Sequence, residues 1–285
     1  MQYIRPAIDA MSPYVPGEQP QDHAYIKLNT NENPYPCSPK VKAAIGRVCQ
    51  AGLQRYPDPA ATAFRSAAAE VLGLHPEQIL CGNGSDDLLT IITRTFVDPG
   101  DVVRFPRPSY TLYDTLAAIQ GAECDVVTFN DDWSLPTQFA EPHDRLRLVF
   151  LANPNSPSGT TLAPEVVAEL AGELDCPLIV DEAYADFAET NCLGLVDQCD
   201  NVLVTRSMSK SYALAGLRFG FAAGRPELIE QLAKVKDSYN CDALAIAGAT
   251  AAITDRDWFD QTTQAIIATR GRLLNALRDL GFTCV

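Results

Sequence analysis

Short apolar runs at 146–152, 178–181 and 201–205 are what most constrain this chain, because each is rich in Val, Ile and Leu and is too short to be a helix. They belong to a longer alternation. Strand-type segments are expected at 79–81, 102–105, 124–129 and 219–223, and helical periods at 41–51, 60–72, 86–96, 110–120 and 164–174. Pro164 suits the first turn of the last of these. Strands alternating with helices imply an α/β fold with a mainly parallel sheet covered on both faces. Residues 1–40 read as an extended arm and 41–255 as one large domain. Residues 256–285 read as a linking helix over 258–280, stopped by Gly281, followed by the start of a strand at 282–285.

Charge excludes some partners. The chain has 22 Lys and Arg against 36 Asp and Glu, a net charge of −14. Nucleic acid and anionic membranes both require clustered basic residues, so neither is expected as a partner. An anionic small molecule would need a local basic pocket set against the global field. The nine cysteines include no C-x-x-C pair and none at metal-ligand spacing with histidine, so no metal is expected. The amino terminus lacks the apolar core of a signal peptide, and no run approaches the ~18 residues of a membrane span. The expectation is a cytoplasmic protein with reduced, mostly buried thiols. His23, His75 and His143 lie in polar, unpatterned surroundings and are read as surface residues.

Chemistry concentrates at the ends of the strands. Lys210 follows a strand and a Ser207-Met208-Ser209 turn, and leads into a segment almost free of charge. A desolvated amine keeps its lone pair for attack on a carbonyl. Asp181 closes the 178–181 run, placing a carboxylate at the edge where α/β proteins bind ligands. Taken alone, it would more often be a helix cap. Cys81-Gly82-Asn83-Gly84-Ser85-Asp86-Asp87 joins a strand to a helix, so backbone N–H groups there can face an anion. Two glycines are a weak signal, and the G-x-G-x-x-G fingerprint is incomplete. Arg218 adds a cation eight residues after Lys210. Ser207-x-x-Lys210 also fits an acyl-transfer motif, but that motif needs a K-T-G, which this chain lacks.

In this order, the residues resemble the fold-type I pyridoxal phosphate aminotransferases, over nearly the whole chain. Ser12-Pro13-Tyr14-Val15-Pro16-Gly17-Glu18-Gln19-Pro20 and Lys27-Leu28-Asn29-Thr30-Asn31-Glu32-Asn33-Pro34 are most similar to the histidinol-phosphate aminotransferase branch. The resemblance implies pyridoxal 5'-phosphate as cofactor, with Lys210 as its Schiff-base lysine. It assigns Asp181 to the ring nitrogen, Tyr184 to the ring 3-oxygen and Tyr110 to stacking on the ring. Gly84, Ser85, Asp86, Ser207, Ser209 and Arg218 would hold the phosphate, Asp86 through its main chain, since its carboxylate would repel the anion.

The family's Asn-Pro-Asn-Asn-Pro-Thr-Gly loop stands here as Asn153-Pro154-Asn155-Ser156-Pro157-Ser158-Gly159. Either Ser156 makes the asparagine's contact or Asn155 reaches in from one place earlier; Asn155 is the residue assigned. Tyr56, in Gln54-Arg55-Tyr56-Pro57-Asp58, would cross to the partner subunit's phosphate in a homodimer. The implied reaction moves an amino group between histidinol phosphate and 2-oxoglutarate. A threonine-phosphate decarboxylase, an aromatic aminotransferase and an inactive fragment are the alternatives. Family members continue past this chain's last residue, so an incomplete small domain is expected, without the arginines that the family uses there to grip substrate.

Overall fold

A computed structural model describes residues 3–12, 18 and 26–285 of the protein. Among these, seven strands form one sheet: β1 (Ile79–Gly82), β2 (Val102–Arg107), β3 (Glu123–Thr128), β4 (Leu146–Ala152), β5 (Leu178–Asp181), β6 (Val202–Ser207) and β7 (Gly220–Gly224). Their order is β1-β7-β6-β5-β4-β2-β3. The β3, β2, β4, β5 and β6 strands run parallel, and β7 is antiparallel to both of its neighbours. The sheet is therefore mainly parallel. Its centre, β4-β5-β6, is formed by the three runs that dominate the sequence.

Alternation of side chains across those strands builds two cores at once. Val149 and Leu151 of β4, Leu178 and Val180 of β5, and Val202 and Val204 of β6 face one layer. Leu148 and Phe150, Ile179 and Leu203 face the other. All ten are fully buried, and burying a side chain of this size stabilises by about 1.5–3 kcal/mol. This is why the runs show no polar alternation.

Helices cover both faces. They are α1 (Pro6–Asp9), α2 (Pro39–Ala51), α3 (Thr62–Leu72), α4 (Ser85–Phe96), α5 (Leu112–Gln120), α6 (Pro164–Glu173), α7 (Pro226–Val235), α8 (Ala243–Ile253) and α9 (Arg256–Asp279). The α4, α5 and α7 helices lie on one layer and α6 on the other. A third cluster joins α2, α3 and α8 to Phe219 and Phe221.

Some expectations change. Three helices, α1, α7 and α8, stand where the sequence reading assigns none, α1 within the expected extended arm. The α8 segment, Ala-Leu-Ala-Ile-Ala-Gly-Ala-Thr-Ala-Ala-Ile, is apolar on all sides and so carries no period to detect. Gly281 follows α9 with φ +88°, as a helix stop requires. Residues 282–285 form no strand, because no neighbouring strand pairs with them. All nine cysteines are free, but only Cys81, Cys176, Cys192 and Cys241 are buried, while Cys49 and Cys124 are exposed. Among the described residues, no helix is long and apolar enough to cross a membrane.

Candidate active site

The parallel strands deliver their last residues to one edge of the sheet. In the ladder, Asp181 of β5 sits between Ala152 of β4 and Thr205 of β6. A cavity of about 280 Å³ opens there, lined by Ser85, Asp86, Tyr110, Ser156, Asp181, Tyr184, Ser207, Ser209, Lys210 and Arg218, with Thr30 and Glu32 of the N-terminal segment.

Lys210 lies on the connection between β6 and β7. Main-chain bonds pin that connection: Met208 N donates to Phe219 O at 3.0 Å and Leu214 N to Met208 O at 3.1 Å. Asn33 clamps it from the N-terminal segment, its Nδ2 donating to the carbonyls of Lys210 (2.8 Å) and Ser211 (3.2 Å). Lys210 Nζ donates to Thr30 O at 2.9 Å and stands 5.6 Å from the centre of the Tyr184 ring. The Tyr184 hydroxyl accepts from Asn31 Nδ2 at 3.0 Å.

Asp181 is buried. Its Oδ2 accepts from the Tyr113 hydroxyl at 3.0 Å, and its Oδ1 accepts longer bonds from Ala183 N (3.3 Å) and Thr205 Oγ1 (3.4 Å). Burial pushes its carboxyl up to about 6, against the pull of the Tyr113 hydrogen bond. Behind it, Arg206 Nε donates to Glu182 Oε2 at 2.7 Å and its Nη1 to Asp186 Oδ1 at 2.8 Å. Asp186 in turn accepts from the Ser211 hydroxyl, next to Lys210. This buried ion network braces the end of β5 and the Lys210 loop together.

The opposite end of the cavity is built for an anion. Gly84 takes φ +85°, a conformation that disfavours a Cβ. A Cβ there would also lie 2.7 Å from Arg218 Nη2, so the guanidinium packs on the bare glycine. Among the described residues, no side chain caps α4, whose first N–H groups have no intrahelical partners. Arg218 itself adopts a left-handed φ of +51°, uncommon outside glycine, and its Nη1 donates to Ser209 Oγ at 3.3 Å. Gly220 lets β7 start against this turn: a Cβ on it would meet Arg206 O at 2.7 Å and Ser85 N at 2.9 Å.

Two expected contacts are placed differently. Asp86 is not confined to a main-chain role, because its carboxylate turns into the cavity. Its Oδ2 is 3.4 Å from Arg218 Nη2, and its Oδ1 accepts from the Tyr110 hydroxyl at 3.0 Å. The Arg218 charge draws it there. Asn155 does not line the cavity; Ser156 does. The Asn155 amide is held away by bonds to Pro108 O (3.1 Å) and Ser158 Oγ (2.9 Å).

Tyr56 lies outside the cavity, 81% exposed, with its ring stacked on Tyr239 at 4.5 Å. His75 and His143 are exposed. His23 and, apart from Ser12 and Glu18, the segment from Ser12 to Pro20 lie outside the described residues.

Sequence reasoning misses Tyr113, Thr205, Thr30 and Asn33. Tyr113 carries no local signal, since Tyr110 precedes α5 and the two do not form a pair on one helix face. Thr205 could be found by pairing the ends of β5 and β6. Thr30 and Asn33 lie in the segment from Lys27 to Pro34 that carries the resemblance, but nothing local gives either one a role, since their partners are remote in the chain.

The chain resembles known proteins along its length. The family model "Aminotransferase class I and II" matches residues 23–285. Histidinol-phosphate aminotransferase of Rhodopirellula baltica is 56% identical over 283 residues, covering 99% of this chain and 78% of that protein. The enzyme of the same name from Geotalea uraniireducens is 48% identical, with 99% and 81% covered. Among solved structures, histidinol-phosphate aminotransferase from Sinorhizobium meliloti in complex with pyridoxal-5'-phosphate matches with a TM-score of 0.88 at 27% identity, covering 99% of this chain and 79% of that one. An aspartate aminotransferase from Thermus thermophilus shares the fold, with a TM-score of 0.84 at 21% identity.

Proposed function

Because this chain belongs to the aminotransferase class I and II family, we propose that it transfers an amino group between histidinol phosphate and 2-oxoglutarate, with pyridoxal phosphate as cofactor. The observation that carries the reading is one convergence. A lysine amine, a buried carboxylate and an arginine packed on a glycine turn at an uncapped helix line the same 280 Å³ cavity. The donor set fits the cofactor at each end, and the named relatives at 48–56% identity support the substrate.

When bound, pyridoxal phosphate supplies an aldehyde for amines and a pyridine ring that draws electrons from the substrate Cα. Lys210 would hold the aldehyde carbon, and its freed Nζ would take the proton from the substrate Cα and deliver it to that carbon, as amino transfer requires. Asp181 would face the ring nitrogen and keep a proton there. An opposite charge moves such a pKa by ~1–3 units, worth ~1.4–4 kcal/mol. Tyr110 would stack on the ring, and Tyr184 would donate to the 3-oxygen, aided by Ser156 rather than Asn155. Arg218, Ser207, Ser209 and the main chain at Gly84, Ser85 and Asp86 would bind the phosphate, with the Asp86 carboxylate displaced from Arg218.

The enzyme is read as a cytoplasmic homodimer in which Tyr56 reaches the partner's phosphate site. All nine thiols are free, which fits a reducing compartment. A groove of about 720 Å³ between α2 and α8, lined by six alanines with Val48, Ile246, Lys40 and Arg47 and rimmed by Pro57 and Asp58, fits a subunit interface beside Tyr56.

The test is to load the protein with pyridoxal phosphate and supply histidinol phosphate with 2-oxoglutarate. Glutamate should form only when both substrates are present. Release of carbon dioxide from phosphothreonine, or turnover of phenylalanine in preference to histidinol phosphate, would replace this reading.

A further inference from the structure

Tyr113 is fully buried on the first turn of α5, behind the residues that line the cavity, and its hydroxyl reaches the functional carboxylate. Among the described residues, its 3.0 Å bond to Asp181 Oδ2 is the shortest that Asp181 receives, and the other donors reach Oδ1, at 3.3 and 3.4 Å. The phenol cannot swing away. It stacks on Phe150 at 4.6 Å and 5°, lies 5.8 Å from Phe105, and meets Tyr110 edge-on at 5.7 Å and 89°. Burial pushes its own ionisation far up, so it stays a neutral donor at any working pH.

We propose that Tyr113 is the positioning residue for the cofactor-binding carboxylate: its hydroxyl fixes the rotation of Asp181 and holds it ionised, while its ring sets the plane of Tyr110. This rests on the reading of Asp181 as the partner of a pyridine nitrogen. A carboxylate in this buried place has desolvation against it, and a hydrogen bond to the charged form opposes that. The other charged or titratable groups around the cavity are Asp86, Lys210, Arg218, Glu32, Tyr110 and Tyr184. The hydrogen bonds to Asp181 come from Tyr113, Thr205 and Ala183.

Infrared difference spectra of the cofactor-free protein, referenced to Asp181→Asn, isolate the protonated Asp181 carboxyl. They report the role of Tyr113 without any cofactor chemistry. In Tyr113→Phe, which keeps the ring packing, the midpoint of that titration should move up by about one unit or more, equivalent to ~tenfold in the ionised fraction. Pyridoxal phosphate affinity should fall by a similar factor. In an Asp181→Asn background, the same change should leave cofactor affinity within about twofold, since Tyr113 acts through Asp181.

Thr205→Val should shift the midpoint less than Tyr113→Phe. An unmoved midpoint in Tyr113→Phe, a larger shift in Thr205→Val, or an equal affinity loss with and without Asp181 would each overturn the proposal. Failure of the wild-type protein to bind pyridoxal phosphate would instead sink the functional reading, leaving the infrared result to stand on its own.

Discussion

Arg218 packs its guanidinium onto Gly84, so that a Cβ on the glycine would lie 2.7 Å from Nη2. Two residues far apart in sequence thus make one anion cradle, with the charge on one side and open main-chain N–H groups on the other. Removing either part should weaken the grip on a phosphate tail. Charge-assisted hydrogen bonds contribute about 1.5–3 kcal/mol, so Arg218→Ala should lower pyridoxal phosphate affinity by roughly ten- to a hundredfold. Gly84→Ala should also lower it, because alanine is strained at φ +85° and displaces the arginine. Titration of the cofactor-free protein with pyridoxal phosphate, followed by fluorescence, measures both. Wild-type affinity in Arg218→Ala would show that the phosphate binds elsewhere.

Asp181 should make the empty protein less stable as pH rises. Its carboxyl is pushed up to about 6 when folded, against 3.8 for an open one. Between those values the native state holds more protons than the unfolded chain, so stability falls with increasing pH across that window and then levels off. The difference is worth roughly 3 kcal/mol. Cofactor-free Asp181→Asn should therefore unfold several degrees above wild type at pH 7.5, with the gap closing towards pH 4. Equal melting temperatures at pH 7.5 would show that the buried charge is not felt.

Tyr56 can be tested by mixing subunits. Tyr56→Phe weakens every site if it serves the partner, and Lys210→Ala disables every site. In a hybrid of the two, the site with an intact Lys210 receives an intact Tyr56 from its neighbour. Co-refolded mixtures should exceed the average activity of the two separate variants. Activity no higher than that average would place Tyr56 at its own subunit's site or at none.

How far the sequence could be read depended on where each signal was stored. The runs at β4, β5 and β6 were legible because two-sided burial leaves no polar alternation. Strand-end chemistry at Asp181 and Lys210 was legible because a carboxylate and an amine stand out beside apolar neighbours. The α8 helix was not, since uniform burial erases its period. Tyr113 looks like any core aromatic until the fold brings it to Asp181. The choice between Asn155 and Ser156 depends on the path of a turn, and the direction of the Asp86 carboxylate depends on Arg218, 132 residues away. Such side-chain directions are set by contacts that no local window contains.

The central claim is that Lys210, whose Nζ donates to Thr30 O at the cavity, is the amine that carries the cofactor. Borohydride reduction of the pyridoxal phosphate-loaded protein, followed by peptide mass spectrometry, tests it most directly. The account predicts a single reduced adduct on Lys210, absent from Lys210→Ala together with the visible absorbance. An adduct on any other amine, or full turnover by the alanine variant, would contradict it.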